Sequence, residues 1–344
     1  MLVLGIETSC DETAAGVVAG GRRLLSNVVA SQAAVHARYG GVVPEVASRH
    51  HIEAMLPVVK AALAEAKCAP SDLDAVAVTA GPGLAGSLLV GLNTAKSLAY
   101  AWDKPLIGVN HLEGHLYANW LPEGEPPSLP AVVLIVSGGH SELLLAERHG
   151  VYRLLGRTRD DAAGEAFDKA ARELGLGFPG GPAIERAAHE SGPRPPRLPR
   201  AWLGASSDFS FSGLKTAVAR VAAESEAPAA DIAAGFQAAV VDVLTRKTVE
   251  AARATGAGCI LLSGGVAANG PLREVMRQRS AVPVFVPPPV LCTDNGAMIA
   301  AAAHYCAEAG RATLDLDVRA AWPIAAPLGP SAGKPADGQA AARR

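Results

Sequence analysis

Residues 3–18, VLGIETSCDETAAGVV, and residues 132–147, VVLIVSGGHSELLLAE, share one layout: an apolar strand, a small polar turn and a second apolar strand. A unit repeated at this separation points to internal duplication, so the chain reads as two copies of one α/β unit. In the first copy LVLGIETS, AAGVVAG and LLSNVVAS are short apolar runs between polar or Gly turns, the pattern of antiparallel strands. The recurrence of Ile52, Leu56, Val59 and Leu63 predicts a helix over 44–66 with that face inward. A buried strand in DAVAVTAGPG, a helix over 87–101 and a strand at 106–109 follow.

The Pro-rich stretch PEGEPPSLP at 122–130 marks the crossing to the second copy. There DDAAGEAFDKAARELG becomes helical, Pro182 sits in a helical first turn, and Ile232, Phe236, Val240, Val243 and Leu244 mark a long amphipathic helix. CILLSGGVAANGPLREVM reads as strand, Gly loop and helix. The expected division is a first lobe of residues 1–125 plus about 290–324, a second lobe of 126–289, and a disordered tail, 325–344, with little to bury.

A length of 344 residues accommodates two such lobes, and 49% hydrophobic against 19% charged residues excludes disorder over most of the chain. No apolar run approaches the roughly 18 residues that span a bilayer, and MLVLGIETS reads as a strand and not a leader, so a cytoplasmic location is expected. With 31 Lys and Arg against 33 Asp and Glu, the net charge of -2 gives no general field for a polyanion. A nucleic acid must then be held by a local patch or by other subunits. The stretch GPRPPRLPR, with Arg194, Arg197 and Arg200, is either such a patch or a solvated loop. Five widely spaced cysteines without a CxxC pair argue for a reducing compartment and against a disulfide framework or a cysteine zinc site.

Four loops, ETSCDET (7–13), SGGHSE (137–142), FPGGP (178–182) and SGGVAAN (263–269), each end an apolar run in small residues. One alone is a turn; four in a duplicated α/β chain favour a nucleotide between two lobes, because amides exposed at such turns approach phosphate oxygens closely. In NHLEGH, His111 and His115 lie four apart, so on a helix capped by Asn110 both imidazoles share a face and can share a metal; they are otherwise surface histidines. Glu113, two residues beyond His111, is turned about 200° round the helix, so the base of an HExxH peptidase is missing. Asp294 in CTDNGAM is the best-placed third ligand, or else a helix N-cap. Two His and one carboxylate suit Fe(II) at least as well as Zn(II).

GIETSCDETAAGV, YGGVVPEVASRHH, TAGPGLAGSLLVG, HLEGH, LIVSGGHSELL, DDAAGEAFDKAAREL, PGGPAIE, DFSFSGLK, LLSGGVAANGPLR and CTDNGAMIA together resemble the bacterial tRNA N6-adenosine threonylcarbamoyltransferases, the TsaD family, once described as O-sialoglycoprotein endopeptidases. The resemblance runs from about Leu2 to Trp322. It implies the actin, sugar kinase and Hsp70-like fold, two ribonuclease H-like lobes with the ligand in the cleft. It further implies transfer of the threonylcarbamoyl group from threonylcarbamoyl-AMP to the adenosine 3′ of the anticodon, in tRNAs reading codons that begin with A.

Residue by residue, the resemblance makes His111, His115 and Asp294 ligands of one iron(II) per chain, with zinc as runner-up. Ile135, Val136, Ser137, Gly138 and Gly139 match the loop on the adenylate phosphate, Asp168 and Gly181 the ribose region, and Asn269 a base-side contact. Glu185 stands where many members have Asp. Archaeal relatives place a metal-side Tyr where this chain has Ile135, which leaves a coordination position to water or substrate. Asp11 is the candidate base or orienter of the attacking amine, or a turn aspartate bonded to its own backbone; His140, beside the phosphate loop, is left outside the catalytic set. The implied partners are tRNA, a TsaB-like paralogue as heterodimer partner through helices of lobe one, a TsaE-like ATPase and a TsaC-like enzyme supplying the intermediate. The competing classes are a sugar-kinase-like phosphotransferase, which has no use for the paired histidines, a metalloendopeptidase, opposed by the position of Glu113, and a non-catalytic scaffold paralogue.

Overall fold

The structure, a computed structural model, describes residues 1–312 and 314–324; the tail predicted to be disordered lies outside the described residues. A first sheet is built from β1 (Leu2–Glu7), β2 (Glu12–Ala19), β3 (Arg23–Ser31), β4 (Ala75–Gly81) and β5 (Leu106–Asn110), in the order β5-β4-β1-β2-β3. A second contains β6 (Ala131–Val136), β7 (Ser141–Arg148), β8 (Val151–Arg157), β9 (Cys259–Ser263) and β10 (Val284–Phe285), in the order β10-β9-β6-β7-β8. The short β11 (Arg311–Ala312) joins the first sheet beside β5. In each sheet an antiparallel three-strand meander continues, on the far side of its first strand, into two parallel strands. The repeat read from residues 3–18 and 132–147 is therefore a repeat of sheet topology.

The helices are α1 (Ala33–His36), α2 (Pro44–Ala66), α3 (Ala85–Ala101), α4 (His111–Tyr117), α5 (Ala163–Glu173), α6 (Gly180–His189), α7 (Ser212–Glu224), α8 (Ala229–Thr255), α9 (Gly270–Arg279), α10 (Pro289–Cys292) and α11 (Gly296–Gly310). Helices α2 and α3 close a core against β1, β2 and β4. Helices α5 to α9 cover the outer face of the second sheet, and the five apolar positions predicted for α8 are all buried. Between the two sheets lie α4 and α11, in a core that draws on both. Strands covered on both faces explain why AVVLIV and AVAVTAG are continuous apolar runs and do not alternate.

Close approach of α11 to the first sheet depends on glycine. A Cβ on Gly16 would lie 2.6 Å from Ala297 N, and one on Gly296 would lie 2.3 Å from Gly16 N. This contact seats the start of α11, with Asp294 just before it lying against His111 and His115 of α4.

Two sequence expectations need correction. Helix α2 has the predicted span, but Ile52 and Leu56 face outward at 67% and 54% exposure. Its inner face carries Ala47, His51, Met55, Val58 and Ala62; of the predicted stripe Val59 is buried and Leu63 packs partly buried against the same core. His51 decides the rotation: Nε2 donates to Cys10 O at 2.9 Å and Nδ1 accepts from Thr13 Oγ1 at 2.7 Å, so a polar residue occupies the core side. Arg200, grouped with Arg194 and Arg197 as a patch for nucleic acid, is instead tied to Asp242 (Nε to Oδ2, 3.2 Å) and to Leu198 O (2.7 Å). Of the three, Arg194 and Arg197 are exposed.

Lys247, buried in α8, donates from Nζ to Trp202 O (2.8 Å), Ser206 O (2.7 Å) and Asp208 O (2.6 Å). One ammonium thus supplies the donors for an irregular segment that has no ladder of its own. Lys247→Met keeps the stem and removes the donors; it is expected to destabilise the chain by about 2–4 kcal/mol. Denaturant unfolding checks this, and an unchanged midpoint would show that the segment is held by other contacts.

Candidate functional site

Strand β5 ends at Asn110, whose Oδ1 accepts from Leu112 N at 2.9 Å and so caps α4, as the sequence predicts. The cap starts the helix at His111 and places His115 one turn later on the same face, with ring centroids 4.7 Å apart. At the start of α11 the capping residue is Asn295, whose Oδ1 accepts from Met298 N at 2.9 Å. Asp294 is thereby released from the capping role that was its alternative reading. Its Oδ1 lies 3.1 Å from His115 Nε2 and 3.6 Å from His111 Nε2. One ligand atom from each of His111, His115 and Asp294 falls within 4.8 Å of the other two.

Glu7, fully buried at the end of β1, was not singled out in the sequence. Its Oε2 accepts from His111 Nδ1 at 3.0 Å and from Thr79 Oγ1 at 2.5 Å, and Oε1 accepts from Ser9 N. A proton fixed on Nδ1 leaves the Nε2 lone pair of His111 for a cation. His115, 1% exposed, has no hydrogen-bond partner on either ring nitrogen.

Burial would lower His111, but Asp294 and then Glu7 outweigh it and raise its pKa to about 9. Burial opposes ionisation of Asp294, yet His111 and His115 pull it down to about 2, and His111 likewise holds Glu7 below the usual carboxylate range. Without a metal the cluster keeps a proton between two carboxylates, and a divalent cation would displace it. Orphaned imidazole nitrogens, a carboxylate aimed at them and a buried carboxylate behind them fit a metal with N and O ligands. Glu7→Gln is expected to weaken metal affinity by about 10–100-fold with little change in fold. Metal titration checks it, and unchanged affinity would remove Glu7 from the supporting shell.

Other acids and bases crowd the same end of the cleft. Asp11 stands in the β1–β2 turn and Glu12 opens β2. Burial, then Asp294 and Asp11, push Glu12 up to about 9, so it holds a proton at neutral pH. Burial, then His111 and His115, press His140 down to about 4, which keeps its imidazole neutral. Neither Glu12 nor the proximity of His140 to the trio was read from the sequence, because β1, α4, α11 and the β6–β7 loop meet only in three dimensions. Glu113 is turned away, as the helical phase requires, and accepts from Cys306 Sγ at 3.5 Å.

The loop after β6 is closed by Ser137 N to His140 O (2.9 Å) and His140 N to Ser137 Oγ (3.2 Å). Gly138 and Gly139 are exposed, their amides have no protein partner among the described residues, and a Cβ on either would meet nothing within 4 Å. Ile135 and Val136 lie in β6 with side chains wholly buried, so only their main chain can face a ligand. Asp168 Oδ1 accepts from Gly180 N at 2.7 Å, which leaves Oδ2 without a protein partner among the described residues; Gly181 again faces open space. Asn269 is committed within the protein: Nδ2 donates to Glu185 Oε2 (3.0 Å) and Gln237 Oε1 (2.8 Å), while Oδ1 caps α9 through Leu272 N (3.0 Å). Glu185 also accepts from Gly270 N at 3.0 Å. These two residues brace the start of α9 at the cleft wall.

Fold and site together define a two-sheet α/β protein of the actin and sugar-kinase fold class, with His111, His115 and Asp294 grouped as three donors that could hold a metal. Among solved structures the chain is similar to HypF of T. kodakarensis (TM-score 0.61, 17% identity, covering 89% of this chain and 48% of that one). It is also similar to the activator of 2-hydroxyisocaproyl-CoA dehydratase from Clostridium difficile (TM-score 0.53, 15% identity, covering 90% and 96%). At these identities the likeness concerns the fold. In sequence, the family "TsaD: tRNA N6-adenosine threonylcarbamoyltransferase" matches residues 23–301. Proteins of that name from Thermomicrobium roseum and Symbiobacterium thermophilum are 59% and 58% identical, covering 94% and 92% of this chain and 97% and 95% of theirs. The chain belongs to the TsaD family, and is a transferase of tRNA processing.

Proposed function

We propose that the chain moves the threonylcarbamoyl group of threonylcarbamoyl-AMP to the N6 amine of the adenosine 3′ of the anticodon, in tRNAs reading codons that begin with A. The observation that carries this reading is the convergence of His111, His115 and Asp294 beside an open glycine loop, in a chain of this family. Those three residues would hold one iron(II), with zinc as runner-up. When bound, the metal supplies Lewis-acid polarisation of an oxygen on the intermediate. The amides of Gly138 and Gly139 receive the phosphate and stabilise the charge of departing AMP. Asp168, through Oδ2, and the open face at Gly181 accept the ribose, while Glu185 and Asn269 shape the wall on the base side. The amine nitrogen bonds to the carbamoyl carbon, the bond from that carbon to the phosphate oxygen breaks, and the carboxylate of Asp11 takes the proton. Glu12, its neighbour in the chain, has its carboxyl pushed up to about 9 by burial, Asp294 and Asp11, so it stands beside that carboxylate as an uncharged acid.

The lobes proposed are residues 1–125 with 290–324, and 126–289. A TsaB-like paralogue would dock on the outward apolar residues Ile52 and Leu56 of α2 and Leu89 of α3, with a TsaE-like ATPase and a TsaC-like supplier acting in the cytoplasm. No helix among the described residues is long and apolar enough to cross a membrane. Parallel incubations decide against the phosphotransferase reading: label should pass from threonylcarbamoyl-AMP to unmodified tRNA, and none from ATP to a panel of hexoses. Sugar phosphorylation without tRNA labelling would reverse the assignment.

A further inference from the structure

The residues so far assigned to substrate leave one flank of the phosphate loop without a role. In the second sheet β9, leading to Asn269, borders β6 on one side, while β7 and β8 lie on the other. On the β8 side a cavity of about 480 Å³ is lined by Gly139, His140, Glu142, Arg157, Arg159 and Asp208, among others, so it shares two loop residues with the phosphate site. His140, which lines the cavity, also lies within electrostatic reach of His111, His115 and Asp294.

Its arginines stand on a pinned backbone. Arg157 N donates to Asp208 Oδ1 (3.0 Å), Phe209 N to Arg157 O (3.0 Å) and Arg159 N to Phe209 O (2.9 Å). The segment opposite is gripped by Lys247, and Gly156 lets it approach so closely that a Cβ would lie 2.3 Å from Ser207 O. Arg159 is paired with Asp208 (Nη2 to Oδ2, 2.8 Å), whereas the exposed guanidinium of Arg157 has no hydrogen-bond or ion-pair partner among the described residues. Glu142 stands opposite Arg157 on β7 and feels its charge without a close ion pair, so the N–H groups of this exposed guanidinium on a pinned backbone stay free to meet a phosphodiester with two parallel hydrogen bonds.

Resting on the transfer reaction proposed above, we infer that this cavity is the acceptor entrance, where Arg157 binds an RNA backbone phosphate beside the reacting adenosine. The adenylate side is occupied by the leaving group, so the acceptor must arrive from a different flank. In a chain of net charge -2 one well-placed cation has weight that no general field supplies.

The test uses the chain assembled with its partner subunits and unmodified tRNA, with affinity measured across a salt series. Arg157→Ala is expected to weaken tRNA binding by about tenfold and to flatten the slope of log affinity against log salt by about 0.7–0.9. Arg157→Lys should retain most of the slope, and AMP affinity should be unchanged in both. The double variant Arg194→Ala/Arg197→Ala, on the irregular stretch, should change the slope less than Arg157→Ala does. Unchanged tRNA affinity and slope in Arg157→Ala would overturn the inference. So would an equal loss of affinity for AMP or inorganic phosphate, which would place Arg157 in the adenylate site. Absence of transfer by the wild-type assembly, with the salt effect present, would count against the reaction and leave the RNA site standing.

Discussion

His115→Ala is expected to leave a folded chain without bound metal and to lower transfer by about 1000-fold or more. A site of three protein ligands loses one third of its donors, and polarisation by a metal contributes several kcal/mol to the barrier, at roughly 1.4 kcal/mol per factor of ten. The fold should survive, because Asp294, which loses its contact with His115 at 3.1 Å, keeps His111 as a counter-charge at 3.6 Å. His115→Gln fills more of the space and guards against a packing defect as the cause. Metal analysis, transfer rate and melting temperature are read on the same samples. Wild-type metal content in both variants would sink the site; loss of metal with full transfer would leave the site real and the reaction independent of it.

Gly138→Val is expected to lower affinity for AMP or a stable analogue of the intermediate by about 100-fold, with melting hardly changed. Its Cβ would project into open space, so the folded protein has room for the side chain and the ligand does not. Gly264→Ala provides the opposite case: φ is +86° and a Cβ would sit 2.4 Å from Val136 O, so the loss there should appear in stability. Calorimetric titration with thermal unfolding separates the two. Equal AMP affinity in Gly138→Val would remove the loop from the phosphate site.

Most of the scaffold was legible because the apolar runs are long and their punctuation is strong. The repeated strand–turn–strand segments implied the repeated sheet order, Asn110 its cap, and the spacing of His111 and His115 their shared face. Residues that serve by long-range contact were illegible. Glu7 reads as a polar end to a strand until β1 lies beside α4, and Glu12 as a turn residue until Asp294 arrives from the far end of the chain. Helix α2 misled for a physical reason: hydropathy ranks Ile52 above His51, but His51 has two polar partners inside and Ile52 has none. Arg200 misled likewise, since an irregular basic stretch does not reveal that Asp242 of α8 neutralises one of its charges.

The most direct measurement follows label from threonylcarbamoyl-AMP into unmodified tRNA, using the partnered chain as purified, after chelation, after reloading with iron(II), and as His115→Ala. The account predicts labelled N6-threonylcarbamoyladenosine 3′ of the anticodon with the purified and reloaded protein, and almost none after chelation or in the variant. Equal labelling in all four samples would contradict it.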